Sequence, residues 1–96
     1  MGYRREFPDY DGDLYIPKGW EDNSWHNDVC PRAMKRTPDE TIEYSIWQDY
    51  VDPDRREKGS ATKRYLFQII VGYDNIFNWE TDSLDEIKAL VNAVEQ

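Results

Sequence analysis

Ninety-six residues make one domain with a thin core, because a chain of this size buries only about 60–65% of the surface its unfolded form exposes. Twenty acids against twelve bases give a net charge of −8, which opposes general binding to nucleic acid, since phosphate contacts need Lys and Arg. The single cysteine, Cys30, excludes an intrachain disulfide, and no apolar run is long enough to span a bilayer as a helix.

The first six residues lead into Pro8 and an acidic stretch, so no secretory signal is expected and the expected location is the cytosol. Residues 1–40 are rich in Pro, Gly, Asp and Asn and read as an irregular layer over the core. Leu14-Tyr15-Ile16 before Pro17 has the form of a short edge strand, and Trp20 and Trp25 are expected to pin the layer down.

Regular structure is expected from Thr41, over residues 41–80. Ile42, Tyr44 and Ile46 alternate with Glu43, Ser45 and Trp47, the period of a half-buried strand. A second strand over 62–72 is apolar on both faces and therefore central. Asp52 to Ala61 between them reads as a charged hairpin loop. Centring the hairpin there pairs Ile46 with Phe67, Tyr44 with Ile69 and Ile42 with Val71, which puts the apolar sets on one face. A third strand over 76–80 is expected after a three-residue turn, Tyr73-Asp74-Asn75, which would pair Val71 with Phe77 and Ile69 with Trp79.

The last element is a helix over 83–95. Ser83 and Glu86 have capping-box spacing, and Leu84, Ile87, Leu90, Val91 and Val94 form one apolar stripe. The whole chain, 1–96, is thus expected to be a single α+β domain. Its frame is a three- or four-stranded antiparallel meander, with the C-terminal helix across one face and an irregular N-terminal layer.

Sites of chemistry are few. His26, Asp28 and Cys30 alternate, so an extended backbone would gather them as metal ligands, or His26 and Cys30 as a base and nucleophile. Structural zinc normally takes four ligands, and the chain has no second Cys or His, so neither a metal nor an enzyme activity is expected. Asp9, Asp11 and Asp13 resemble the start of a calcium loop, but Gly12 falls at the fourth position and Trp20 stands at the twelfth, so a solvated acidic turn is expected. No Gly-rich phosphate loop is present and no cofactor is expected.

The remaining signal is a partner surface. Trp47 stands between Ser45 and Asp49 on the polar side of its strand, across from Leu66 and flanked by Arg64 and Gln68. The N-terminal layer would either cover it or leave it as an aromatic anchor. The expected partner-binding residues are Trp47, Asp49 and Arg64, with Asp52, Asp54, Arg55 and Arg56 from the charged loop. The expected partner is a protein with a basic surface, without direct contact to nucleic acid or membrane.

The segment Gly19-Trp20-Glu21-Asp22-Asn23-Ser24-Trp25-His26-Asn27-Asp28-Val29-Cys30-Pro31 resembles one found in small uncharacterised phage and prophage proteins. In those, Gly-aromatic and Ser-aromatic-x-Asn-Asp-x-Cys-Pro precede a strand-rich region. Arg32-Ala33 stands where that pattern has a small residue and an aromatic. The resemblance implies a phage-type accessory protein acting in the cytosol of a bacterial host, such as an inhibitor of a nucleic-acid-handling defence enzyme, in the manner of anti-CRISPR or DNA-mimic proteins. It assigns no catalytic residue. A toxin-immunity or antitoxin-like binding protein is the alternative, ahead of a metal-dependent enzyme on His26, Asp28 and Cys30 or a virion component.

Overall fold

A computed structural model describes residues 2–57 and 62–95. Among them one antiparallel sheet runs in chain order: β1 (Glu21–Asp22), β2 (Arg32–Arg36), β3 (Ile42–Gln48), β4 (Tyr65–Val71) and β5 (Asp74–Thr81). A one-turn helix, α1 (Tyr3–Glu6), precedes it and α2 (Leu84–Val94) follows it. The class is α+β and the meander is as expected, with five strands in place of three or four.

The β3–β4 register is the one the alternation requires, with Ile46 opposite Phe67, Tyr44 opposite Ile69 and Ile42 opposite Val71. Lys58, Gly59, Ser60 and Ala61 of the expected hairpin loop lie outside the described residues. On its near side Pro53–Arg55 form a 3₁₀ turn capped by the Asp52 carboxylate, which accepts from the Asp54 N–H.

Regular structure starts earlier than Thr41. Arg32–Arg36 reads as charged, yet it pairs along β3 with Ala33 and Met34 fully buried. Arg36 and Glu43 are directly opposed and their side chains meet at 3.0 Å, a cross-strand ion pair that hydropathy conceals. Residues 14–16 are not a strand. Instead the Gln48 amide accepts from Tyr15 N–H at 2.8 Å and donates to Tyr15 C=O at 2.7 Å. One buried side chain thereby satisfies the backbone groups that a neighbouring strand would have paired.

The turn into β5 also differs from expectation. Gly72, at φ +63, opens a two-residue Gly72-Tyr73 loop, the position glycine holds in a type II′ turn. Val71 then faces Asp74, and the register slips beside Ile69 and Ile70 so that Phe77 meets Ile69 and Trp79 meets Phe67. The irregularity absorbs the odd residue, Ile76, and keeps Phe77 and Trp79 on the apolar face.

On that face α2 presses Ile87 and Val91 onto Ala33, Ile46, Tyr65 and Phe67. Only half of the expected capping box forms. Ser83 Oγ accepts from the Glu86 N–H, while the Glu86 carboxylate takes the Trp79 indole N–H at 2.9 Å instead of reaching back. Trp20 closes the core beside Tyr44 and Phe67, and its indole N–H donates to Glu95, which also holds Lys35 at 3.0 Å. Trp25 is exposed and stacks on His26, so the second pin of the N-terminal layer is not Trp25. Phe7 and Tyr10 do that work against Tyr50.

Truncating Ile87→Ala should lower the unfolding free energy by about 2–5 kcal/mol in urea denaturation, the usual cost of emptying a buried aliphatic site. Tyr73→Ala, at the fully exposed turn, should change it by less than about 0.5 kcal/mol.

Candidate functional site

Successive side chains of a strand point to opposite faces, so the residue after buried Ile46 is turned away from α2. That residue is Trp47. It stands opposite Arg32 on β2 and Leu66 on β4. Its indole N–H donates to Gln68 at 2.7 Å, and Gln68 in turn donates to Asn78. The Arg32 guanidinium lies over the ring at 4.7 Å and reaches Ser45 Oγ and, at 3.6 Å, Glu43. Arg32 Nε is buried there without a partner of its own. A ring held on one face and at its nitrogen is a preorganised surface, since little rotamer freedom remains to be lost on contact.

Beside Trp47 lies an open cleft of about 630 Å³. Trp47, Leu66 and Val29 supply its apolar surface, and Asp28, Asp49, Glu57 and Glu80 its carboxylates. Lys63 and Arg64 also line it. Lys63 pairs with Asp82 at 3.6 Å, while Arg64 donates to Asp49 C=O and Tyr10 Oη and stacks on Tyr65. Among the described residues no cation comes within ion-pair distance of any of the four carboxylates. Burial pushes the Asp49 carboxyl above the usual aspartate range, against the opposing effects of the Tyr50 N–H and Arg56. The N-terminal layer walls this cleft with residues 27–30 and does not close it.

Of the partner-binding residues expected from sequence, Trp47, Asp49 and Arg64 therefore meet in one place. Asp52, Asp54, Arg55 and Arg56 do not line it. Asp52 caps the 3₁₀ turn that contains Asp54. Arg55 stacks on Tyr50 and ties down Asp9 and Asp11 at 3.1 and 3.9 Å. Arg56 is buried and donates to the carbonyls of Tyr50, Thr62 and Val51, so it braces the loop from inside. Val29, Glu57, Lys63 and Glu80 were not singled out by sequence. Only Glu80 carried a signal, since it follows Trp79 onto the polar face opposite Leu66.

The other candidates separate. Residues 26–30 form turns and bends, so alternation does not align His26, Asp28 and Cys30. His26 is exposed and held by Glu6, whose carboxylate accepts from the His26 N–H and lies 2.8 Å from Nδ1. Those two hydrogen bonds hold the Glu6 carboxyl below the usual range. Cys30 is buried, and its thiol is pushed up to about 12, by burial first and then by the Asp49 and Asp28 charges. At neutral pH it is a thiol, and the thiolate is the nucleophile and the ligand.

The three acids of the calcium-like motif are spent on different partners. Asp9 accepts from Tyr50 Oη, Asp11 from the Val51 and Asp52 N–H groups, and Asp13 pairs with Arg4. They staple the N-terminal arm. Among the described residues no three His, Cys, Asp or Glu side chains converge enough to hold a metal ion. None of the described helices is long and apolar enough to cross a membrane. The chain matches no protein-family model, no curated protein and no solved structure.

The state of Cys30 is directly measurable. Native protein at pH 8 should resist iodoacetamide over hours by mass spectrometry, and denatured protein should be alkylated at once. Rapid alkylation of the native form would restore the nucleophile reading.

Proposed function

We propose that this chain is a protein-binding module that docks through the Trp47 cleft onto a basic surface of another protein. The observation that carries the reading is the pairing of a clamped indole with four carboxylates that have no cation within ion-pair distance among the described residues. A docking face with this make-up offers an aromatic anchor for affinity and an acid rim for steering and orientation. The net charge of −8 extends the same attraction to long range.

Grooves that handle nucleic acid are a common class of basic protein surface, and an acidic protein seated in one excludes the substrate. The resemblance of residues 19–31 to phage and prophage proteins points the same way. The specific form of the proposal is an accessory protein that inhibits a nucleic-acid-handling enzyme in the cytosol of a bacterial host.

Affinity capture from a nuclease-treated bacterial lysate, with mass spectrometry of the retained proteins, tests it. The expected outcome is one stoichiometric nucleic-acid-handling protein, released by raised salt. Trp47→Ala should weaken retention by about tenfold or more, since central aromatic anchors cost about 2 kcal/mol or more when truncated. Asp28→Asn with Glu57→Gln should slow association and flatten its salt dependence. Retention of a single small toxin would move the partner to a toxin-immunity pair, and retention indifferent to Trp47 would reject the cleft.

A further inference from the structure

A second cleft, of about 460 Å³, adjoins the first and shares Asn27, Asp28, Val29 and Glu57 as a common wall. Its other lining includes Phe7 and Tyr50, both buried, and Glu6 and Asp9, which are held by His26 and Arg55. We infer that the two clefts form one groove for an extended, arginine-bearing segment of the partner, with a guanidinium entering beside Trp47 against the Asp28–Glu57 wall. The inference rests on the reading of the Trp47 cleft as a protein-binding site and specifies the chemistry of what enters it.

Charge sets the sign of the guest. The basic side chains along the groove already have partners: Arg55 pairs with Asp9 and Asp11, Lys63 pairs with Asp82, Arg64 donates to Asp49 C=O and Tyr10 Oη, and the His26 ring bonds Glu6. The carboxylates on the shared wall and in the first cleft have no such neighbour among the described residues, so the groove as a whole calls for added positive charge.

Ring geometry chooses between arginine and lysine. In the first cleft Trp47 already carries a guanidinium, that of Arg32, on one face, and in the second Tyr50 carries that of Arg55 at 4.9 Å. The first cleft thus places an aromatic surface next to carboxylates, and a planar guanidinium uses both at once, by stacking and by forked hydrogen bonds. An ammonium uses the charge alone. An extended backbone suits two neighbouring clefts, because alternate residues of a strand fall on one side.

The test is an NMR titration of the whole chain with blocked hexaarginine, hexalysine and hexacitrulline peptides and with spermine. The readouts are the Trp47 indole N–H, assigned through Trp47→Phe, and the amides of Asp28, Val29 and Glu57. Hexaarginine should shift these signals and hexalysine should bind about fivefold more weakly. Hexacitrulline, isosteric but neutral, should not bind. Asp28→Asn with Glu57→Gln, its fold checked by amide dispersion, should weaken hexaarginine about tenfold, whereas the equal charge removal Asp74→Asn with Asp85→Asn should leave it within about twofold.

Equal loss in both double variants, equal binding of hexalysine or spermine, or shifts that map to another face would each overturn the inference. If no peptide binds while a basic protein is still captured through Trp47, the groove is wrong and the protein-binding reading stands. If hexaarginine binds as described while no protein is captured from any lysate, the groove stands and the choice of a lysate protein as partner falls.

Discussion

The alternation of β3 divides the molecule. Ile46 turns toward α2 and is sealed among Ala33, Phe67, Ile87 and Val91, while its neighbour Trp47 turns to the uncovered face. A slip of one residue in the β3–β4 register would exchange the two, burying polar groups beneath the helix and exposing the core. With α2 committed to one face, the open face is clothed by what the strands themselves carry. Arg32 laid across Trp47 and Ser45, and Gln68 bridging Trp47 to Asn78, are that clothing.

The N-terminal arm supplies what a 96-residue core cannot supply alone. It adds a second aromatic cluster, Phe7, Tyr10 and Tyr50, and it brings residues 27–30 round to wall the Trp47 cleft. Its acids and the arginines near them mostly neutralise one another, as in Asp13 with Arg4 and Asp9 with Arg55. Such exposed pairs add little stability but fix where the arm lies. Asp28, Asp49, Glu57 and Glu80, around the Trp47 cleft, are among the acids that have no cation within ion-pair distance among the described residues.

How much of this could be read from the chain varies with the cause. The β3–β4 pairing was legible because both strands carry a strict two-residue apolar rhythm. The α2 boundaries were legible for a similar reason, a stripe bounded by Ser83. β2 was not, because Arg32, Lys35 and Arg36 hide two buried positions, Ala33 and Met34, behind charge that Glu43 neutralises for the two arginines and Glu95 for the lysine. The β5 register depended on a bulge beside Ile76, and a turn pattern alone does not reveal one. Trp47, Asp49 and Arg64 could be placed together because strand parity extends slightly past the ends of β3 and β4. Asp28, Val29 and Glu57 come from loops, whose course follows from tertiary packing and not from local periodicity. Arg56 was misjudged for the opposite reason. A charged residue in a polar loop reads as exposed, but three backbone carbonyls draw it inside.

The most direct test of the account is hydrogen–deuterium exchange on the complex of the chain with its captured partner, compared with the free chain. The account predicts new protection in residues 27–30 and 62–68, around the Trp47 cleft, with α2 unchanged. Protection concentrated on α2, or along the free edge of β5, with the cleft exchanging as before, would contradict it.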